Sequence, residues 1–219
     1  WGDRGEIPMG WEIQPLLLDL APGILDYFYK TATNKDVLIA SASGIGYNHP
    51  EQFSPDRLRE YLEMSKSYYE KLDLNSLIVL TASENRTSGV SRETIDIYDE
   101  VIGDTLLGVF ESYTALEREP IQQDRFAWMP TRLPYSDIPS RKPNGAYEDL
   151  TKIVNETSSR PLFIPFHVNK GHMSYRHAVE MTKKLQTDFP GQIQITTPDE
   201  FLLLYQSWVA MNEKESCTP

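Results

Sequence analysis

The chain has 219 residues, 40% hydrophobic and 24% charged, with a formal net charge of −11. That length builds one sizeable globular core, while the acidic balance excludes the concentrated Lys and Arg that nucleic acid or an anionic membrane requires, and no apolar run approaches a membrane span. One cysteine, Cys217, excludes an intrachain disulfide and a Cys-rich metal site.

Trp11-Glu12-Ile13 predicts a short strand. Leu16 to Thr33 is helical in pattern, with Pro22 and Gly23 as a kink or break. Val37–Ser41 is an apolar run that predicts a buried strand, and a turn of small residues follows it. Ser54 to Leu72 reads as a helix: Ser54 suits the cap, Pro55 the first turn, and Leu58, Leu62 and Tyr69 share one face. Leu77–Leu80 predicts another buried strand. Ser91 caps a further helix that Gly103 ends, and Leu106–Phe110 predicts a strand running into Glu111. From Tyr113 to Asn144 five prolines break the pattern, with a short strand at Phe126–Met129; a loop of that length is often functional. Residues 146–158 are helical. Leu162–Phe166 predicts a strand ending at His167, with Pro165 pointing to an edge or a bulge. A helix over Ser174–Phe189, a strand over Ile193–Thr196 and a helix opening at Pro198-Asp199 complete the series.

Strands alternating with helices imply parallel β-α units. About five or six strands are read by this pattern, too few for an eight-unit barrel. The expected fold class is therefore α/β, an incomplete or distorted (β/α) TIM-like barrel with its first strands upstream of this chain. An open parallel sheet is the alternative. Residues 1–211 are expected to form a single domain and 212–219 a frayed tail.

In parallel folds the residues at the carboxyl ends of strands gather at one rim. Here they are Ser43 to His49, then Glu84, then Glu111 with Tyr113, then Arg132, then His167. Glu111 is the first candidate for acid/base catalysis, because it follows an apolar strand where burial raises a carboxyl pKa. Its other reading is a solvated or ion-paired loop residue. Glu84, in a polar segment that reads as an exposed loop, is the second and weaker carboxyl. His167 suits a proton shuttle or a sugar hydrogen bond, or else is a satisfied core histidine. Tyr47, Asn48, His49, Tyr113 and Arg132 are candidate substrate-binding residues, with Trp11 and Trp128 as stacking platforms or core fillers. No metal site and no cofactor are expected: no phosphate loop, dinucleotide fingerprint or nucleophile elbow is present.

The run Gly44-Ile45-Gly46-Tyr47-Asn48-His49-Pro50 resembles the motif Gly-x-Gly-Tyr-x-Tyr-Pro, which gives its name to a glycoside hydrolase family. His49 stands where the motif has its second Tyr. Trp1 to Trp11, Asp26-Tyr27-Phe28-Tyr29 and Pro198-Asp199-Glu200-Phe201 also look like segments of the family's carboxy-terminal domain. The resemblance implies fold more firmly than reaction. It implies a carbohydrate substrate, the motif glycines Gly44 and Gly46 and their neighbours at the substrate site, and a secreted or periplasmic setting. It also implies an amino-terminal domain and an Asp-bearing strand end upstream. Two other functions are consistent with the sequence: a carbohydrate-binding module without chemistry, and a metal-dependent hydrolase resembling polysaccharide deacetylases.

Overall fold

A computed structural model describes residues 4–81, 89–112, 119–123, 126–131, 133–134, 145–168 and 173–216. In chain order the elements are β1 (Met9–Ile13), α1 (Leu17–Leu20), α2 (Pro22–Thr31), β2 (Asp36–Ala40), α3 (Pro55–Leu72), β3 (Ser76–Leu80), α4 (Arg92–Ile102) and β4 (Gly108–Ser112). They continue with β5 (Ile121–Gln123), β6 (Phe126–Pro130), β7 (Leu133–Pro134), α5 (Gly145–Glu156), β8 (Phe166–His167), α6 (Tyr175–Asp188) and α7 (Pro198–Ser216).

The fold is α/β. One sheet has the strand order β1-β2-β3-β4-β6-β5. Its pairings are parallel except for the antiparallel β5–β6 hairpin. β7 and β8 make a separate parallel pair. Among the described residues β1 and β5 are the sheet's two edges, and no pairing joins them.

Side chains alternate across a strand, and here both faces are covered. Leu38, Leu77, Val79, Val109, Phe126 and Trp128 pack under α3 and α4, against Leu58, Leu62, Tyr69, Ile95 and Tyr98. Ile39, Ile78, Leu80, Phe110, Ala127 and Met129 pack on the opposite face, against Leu202 and Tyr205 of α7. The first turn of α7 is pinned at the amino ends of the strands. Asp199 accepts hydrogen bonds from the Ser76 hydroxyl at 2.8 Å and the Asn75 amide at 3.1 Å. Pro198 lies so close to β1 that a Cβ on Gly10 would meet its Cγ at 2.4 Å.

Most of the predicted elements form. Ser91 caps α4 by accepting from the Thr94 N–H, and Gly103 ends it. Ser54 takes the cap position of α3 without a side-chain capping bond. Two predicted strands differ. Of Leu162–Phe166 only the end is ladder, as β8, because Pro161 and Pro165 carry no N–H to donate. Ile193–Thr196 takes part in no ladder among the described residues and leads straight into α7. α7 itself runs to Ser216, through the start of the segment read as a tail from 212.

Candidate functional site at the carboxyl rim

The sheet face that α7 covers carries a polar cluster at its carboxyl end. Glu12 lies beside Ile39 in the β1–β2 register and so shares its face. Ser112 follows Phe110 by two residues in β4 and shares that face as well. His167 of β8 joins them: its Nε2 lies 2.7 Å from Glu12 Oε1, and its Nδ1 lies 2.8 Å from Ser112 Oγ. The Ser41 hydroxyl donates to Glu12 Oε2 at 2.6 Å. Exposure falls along this chain of contacts. The Glu12 side chain is 34% exposed and that of His167 11%, while Ser112 is 0% exposed. Burial pushes the Glu12 carboxyl up, but the hydrogen bond and charge of His167 and the Ser41 hydroxyl outweigh it and hold the pKa below the ordinary value. Glu12 is therefore an ionised carboxylate open to solvent on one side.

Ser41 also begins the turn that holds the glycine motif, and α3 fixes that turn. A Cβ on Gly44 would meet Tyr61 Cε1 at 2.1 Å, so only glycine lets the Tyr61 ring lie against the backbone. The Tyr61 hydroxyl donates to the Gly46 carbonyl at 2.8 Å and accepts from the Gly46 N–H at 2.9 Å. The Ile45 N–H donates to Ser65 Oγ at 3.2 Å. Ser43 sits in the left-handed region at φ 72°. Its N–H, hydroxyl and carbonyl are all bonded, to Ile78, Leu80 and Tyr98. Beyond this frame Tyr47 is 71% exposed. Its ring meets His49 edge-on at 5.6 Å, and His49 Nδ1 lies 3.4 Å from the Leu80 carbonyl. The Asn48 amide donates to the Gly46 carbonyl at 3.0 Å.

Glu111 points the other way. It lies between Phe110 and Ser112, so its side chain enters the layer under α4, where it is 0% exposed. Oε1 accepts from the Thr81 hydroxyl and from the Val90 N–H, each at 3.0 Å. Oε2 accepts from the Trp128 indole at 2.7 Å. Trp128 is equally buried, edge-on to Tyr98 at 5.5 Å. Trp11 lies near the amino end of β2, where its indole donates to Asp36 at 2.6 Å and its ring meets Tyr175 at 5.2 Å. Of the residues singled out by sequence, the structure brings His167 to Glu12, and the motif turn to Ser41. It sets Glu111, Trp128 and Trp11 apart from this cluster. Glu84, Tyr113 and Arg132 lie outside the described residues. Glu12, Ser41 and Ser112 were not among the candidate residues, although Glu12 stands inside the first predicted strand, Ser41 ends the second and Ser112 follows Glu111 at the rim.

Among the described residues no group of three or more His, Cys, Asp or Glu is placed to hold a metal ion, and no helix is long and apolar enough to cross a membrane. A cavity beside Glu70, Asp73 and Asp104 opens at the amino ends of β3 and β4, away from this cluster.

The family described as "GxGYxYP putative glycoside hydrolase C-terminal domain" matches residues 1–206. The chain belongs to this family. Its motif is the turn that Tyr61 and Ser65 hold, with His49 at the second Tyr position. No curated protein matches the chain. A crystal structure of a putative hydrolase from Bacteroides thetaiotaomicron VPI-5482 is similar at 24% identity and a TM-score of 0.47, over 57% of this chain and 24% of that one. The chain thus spans under a quarter of that protein's length.

Proposed function

We propose that the carboxyl rim is a carbohydrate site of a glycoside hydrolase, with Glu12 as the carboxylate that acts on the substrate. The observation that carries this reading is the Glu12–His167 pair at the ends of parallel strands, beside the motif turn that defines the family. A carboxylate kept ionised and partly exposed suits the base or nucleophile of glycoside hydrolysis, and a second carboxyl must then protonate the leaving oxygen. Glu84, on the segment between β3 and α4, is the chain's candidate for that acid. Exposed Tyr47 is the stacking platform, and Asn48, His49, Tyr113 and Arg132 are its polar neighbours in the proposal. Glu111 supports the rim from behind.

The reading also includes further strands contributed by an upstream part of the same protein, acting outside the cytoplasm, added at β1, which is an edge of the sheet among the described residues.

A second reading starts from the same contacts. Ser112, His167 and Glu12 line up as nucleophile, base and carboxylate do in acyl hydrolases. Ser112, however, is 0% exposed, so its hydroxyl has no path to an ester, and we do not adopt this reading.

The test is Glu12→Gln in the intact protein against an oligosaccharide panel. Turnover is expected to fall by about 10²–10⁴-fold with sugar binding retained, as for loss of a catalytic acid or base. A variant as active as the parent overturns the role of Glu12. Saturable binding without hydrolysis by the parent itself identifies a binding module instead.

A further inference from the structure

Ser112 occupies a position that neither the motif nor the proposed chemistry uses. Its hydroxyl is fully buried and lies 2.8 Å from His167 Nδ1. The other ring nitrogen faces Glu12 at 2.7 Å. An ionised carboxylate only accepts, so Nε2 must carry the proton that links it to Glu12. In the neutral ring Nδ1 is then an acceptor, and the Ser112 hydroxyl donates to it. In the protonated ring Nδ1 becomes a donor, and the same hydroxyl rotates to accept. A serine satisfies both states without moving a heavy atom. Alanine satisfies neither, and a carboxylate in its place would favour the protonated ring alone.

We infer that Ser112 is a positioning residue: it holds the His167 ring so that an N–H faces Glu12 whether or not the imidazole is protonated. The inference rests on the proposed role of Glu12 for its catalytic meaning, but not for its test. Strand geometry carries the argument further. Ser112 ends β4 and is rigid within the ladder, its backbone opposite Leu80 of β3. Glu12 is held in β1 and tied by Ser41. His167 belongs to the two-residue β8, which pairs only with β7 among the described residues. The hydroxyl, fixed by the β4 ladder, thus lies behind the imidazole and sets its ring angle toward Glu12. Burial of that hydroxyl also means that no water competes for the bond.

The experiment is nitrogen-15 NMR of histidine-labelled intact protein across a pH titration, with His167→Gln assigning the His167 signals among the four histidines. The parent is expected to show one neutral tautomer at His167, with the proton on Nε2. Ser112→Ala is expected to lose that single-tautomer signature, and Ser112→Thr, which keeps the hydroxyl, to restore it. If alanine unfolds the protein, Ser112→Gly removes the hydroxyl in its place. A single unchanged tautomer in whichever of these two variants folds overturns the inference. So does covalent labelling of Ser112 by a fluorophosphonate, which would make it a nucleophile. Loss of hydrolysis in Glu12→Gln bears on the other reading alone, so the two can fail separately.

Discussion

Two neighbouring residues, Glu111 and Ser112, show how much a single step along a strand decides. Ser112 turns to the face of the candidate site, and Glu111 turns into the layer beneath α4. There its carboxylate gathers the end of β3 through Thr81, the entry to α4 through Val90, and β6 through Trp128. One oxygen thus draws together both ends of the segment between β3 and α4. Hydrogen bonds to a charged group contribute about 1.5–3 kcal/mol each. Replacing Glu111 by Gln removes the charge and sets an N–H₂ against at least one of the three donors. Glu111→Gln is expected to lower the unfolding free energy by about 2–3 kcal/mol, read by urea denaturation. Unchanged stability with lost turnover would instead return Glu111 to a direct chemical role. The sequence placed Glu111 at a strand end but not on a face. A strand covered on both sides reads as an unbroken apolar run, and Leu106-Leu107-Gly108-Val109-Phe110 carries no alternation from which its orientation can be read.

At the scale of elements, the glycine motif and α3 are one unit. Gly44 exists to admit the ring of Tyr61, and the hydroxyl of that ring holds both polar groups of Gly46. Gly44→Ala forces the ring aside and breaks both bonds, a cost of about 1–3 kcal/mol typical of overpacking. Tyr61→Phe keeps the ring and loses only the hydroxyl, at about 1 kcal/mol. Thermal unfolding should rank them in that order, with Gly44→Ala the less stable; the reverse order would show that the hydroxyl, not the packing, holds the turn. The helix pattern of α3 was legible because Leu58, Leu62 and Tyr69 repeat at helical spacing. That Tyr61, one residue before Leu62, reaches back to the motif was not legible, since its contact depends on where β2 delivers the turn. The predicted strand at Ile193–Thr196 shows the converse. Its residues have strand character, but a strand needs a partner edge, and sequence does not supply one.

For the molecule as a whole, the parallel β-α succession was readable through β4, because buried strands and capped helices are local signals, while the antiparallel β5 was not. The site was readable only in part. His167 was found from its place after an apolar run, but its partners come from β1 and β4, far apart in sequence and in strand order. The pairing has a global consequence in acid. The Glu12 carboxyl has a lower pKa folded than unfolded. Its contribution to stability is therefore complete above the ordinary carboxylate range and is lost as pH falls through the folded value. Urea midpoints measured from neutral pH downward should drop more steeply in the parent than in Glu12→Gln. Equal slopes would mean that the pair does not couple protonation to folding.

The placement of α7 bears on how the protein is made. The face formed by Ile39, Ile78, Phe110 and Met129 is covered by a helix that begins only at Pro198. During synthesis the ribosome delivers all six strands of the sheet before it delivers their cover. Between the end of β6 at Pro130 and the start of α7 at Pro198 the nascent chain therefore holds a complete sheet with one apolar face not yet covered by its helix, the kind of transient exposure that invites aggregation. The Asp199 clamp on Asn75 and Ser76 is then the latch that closes this window.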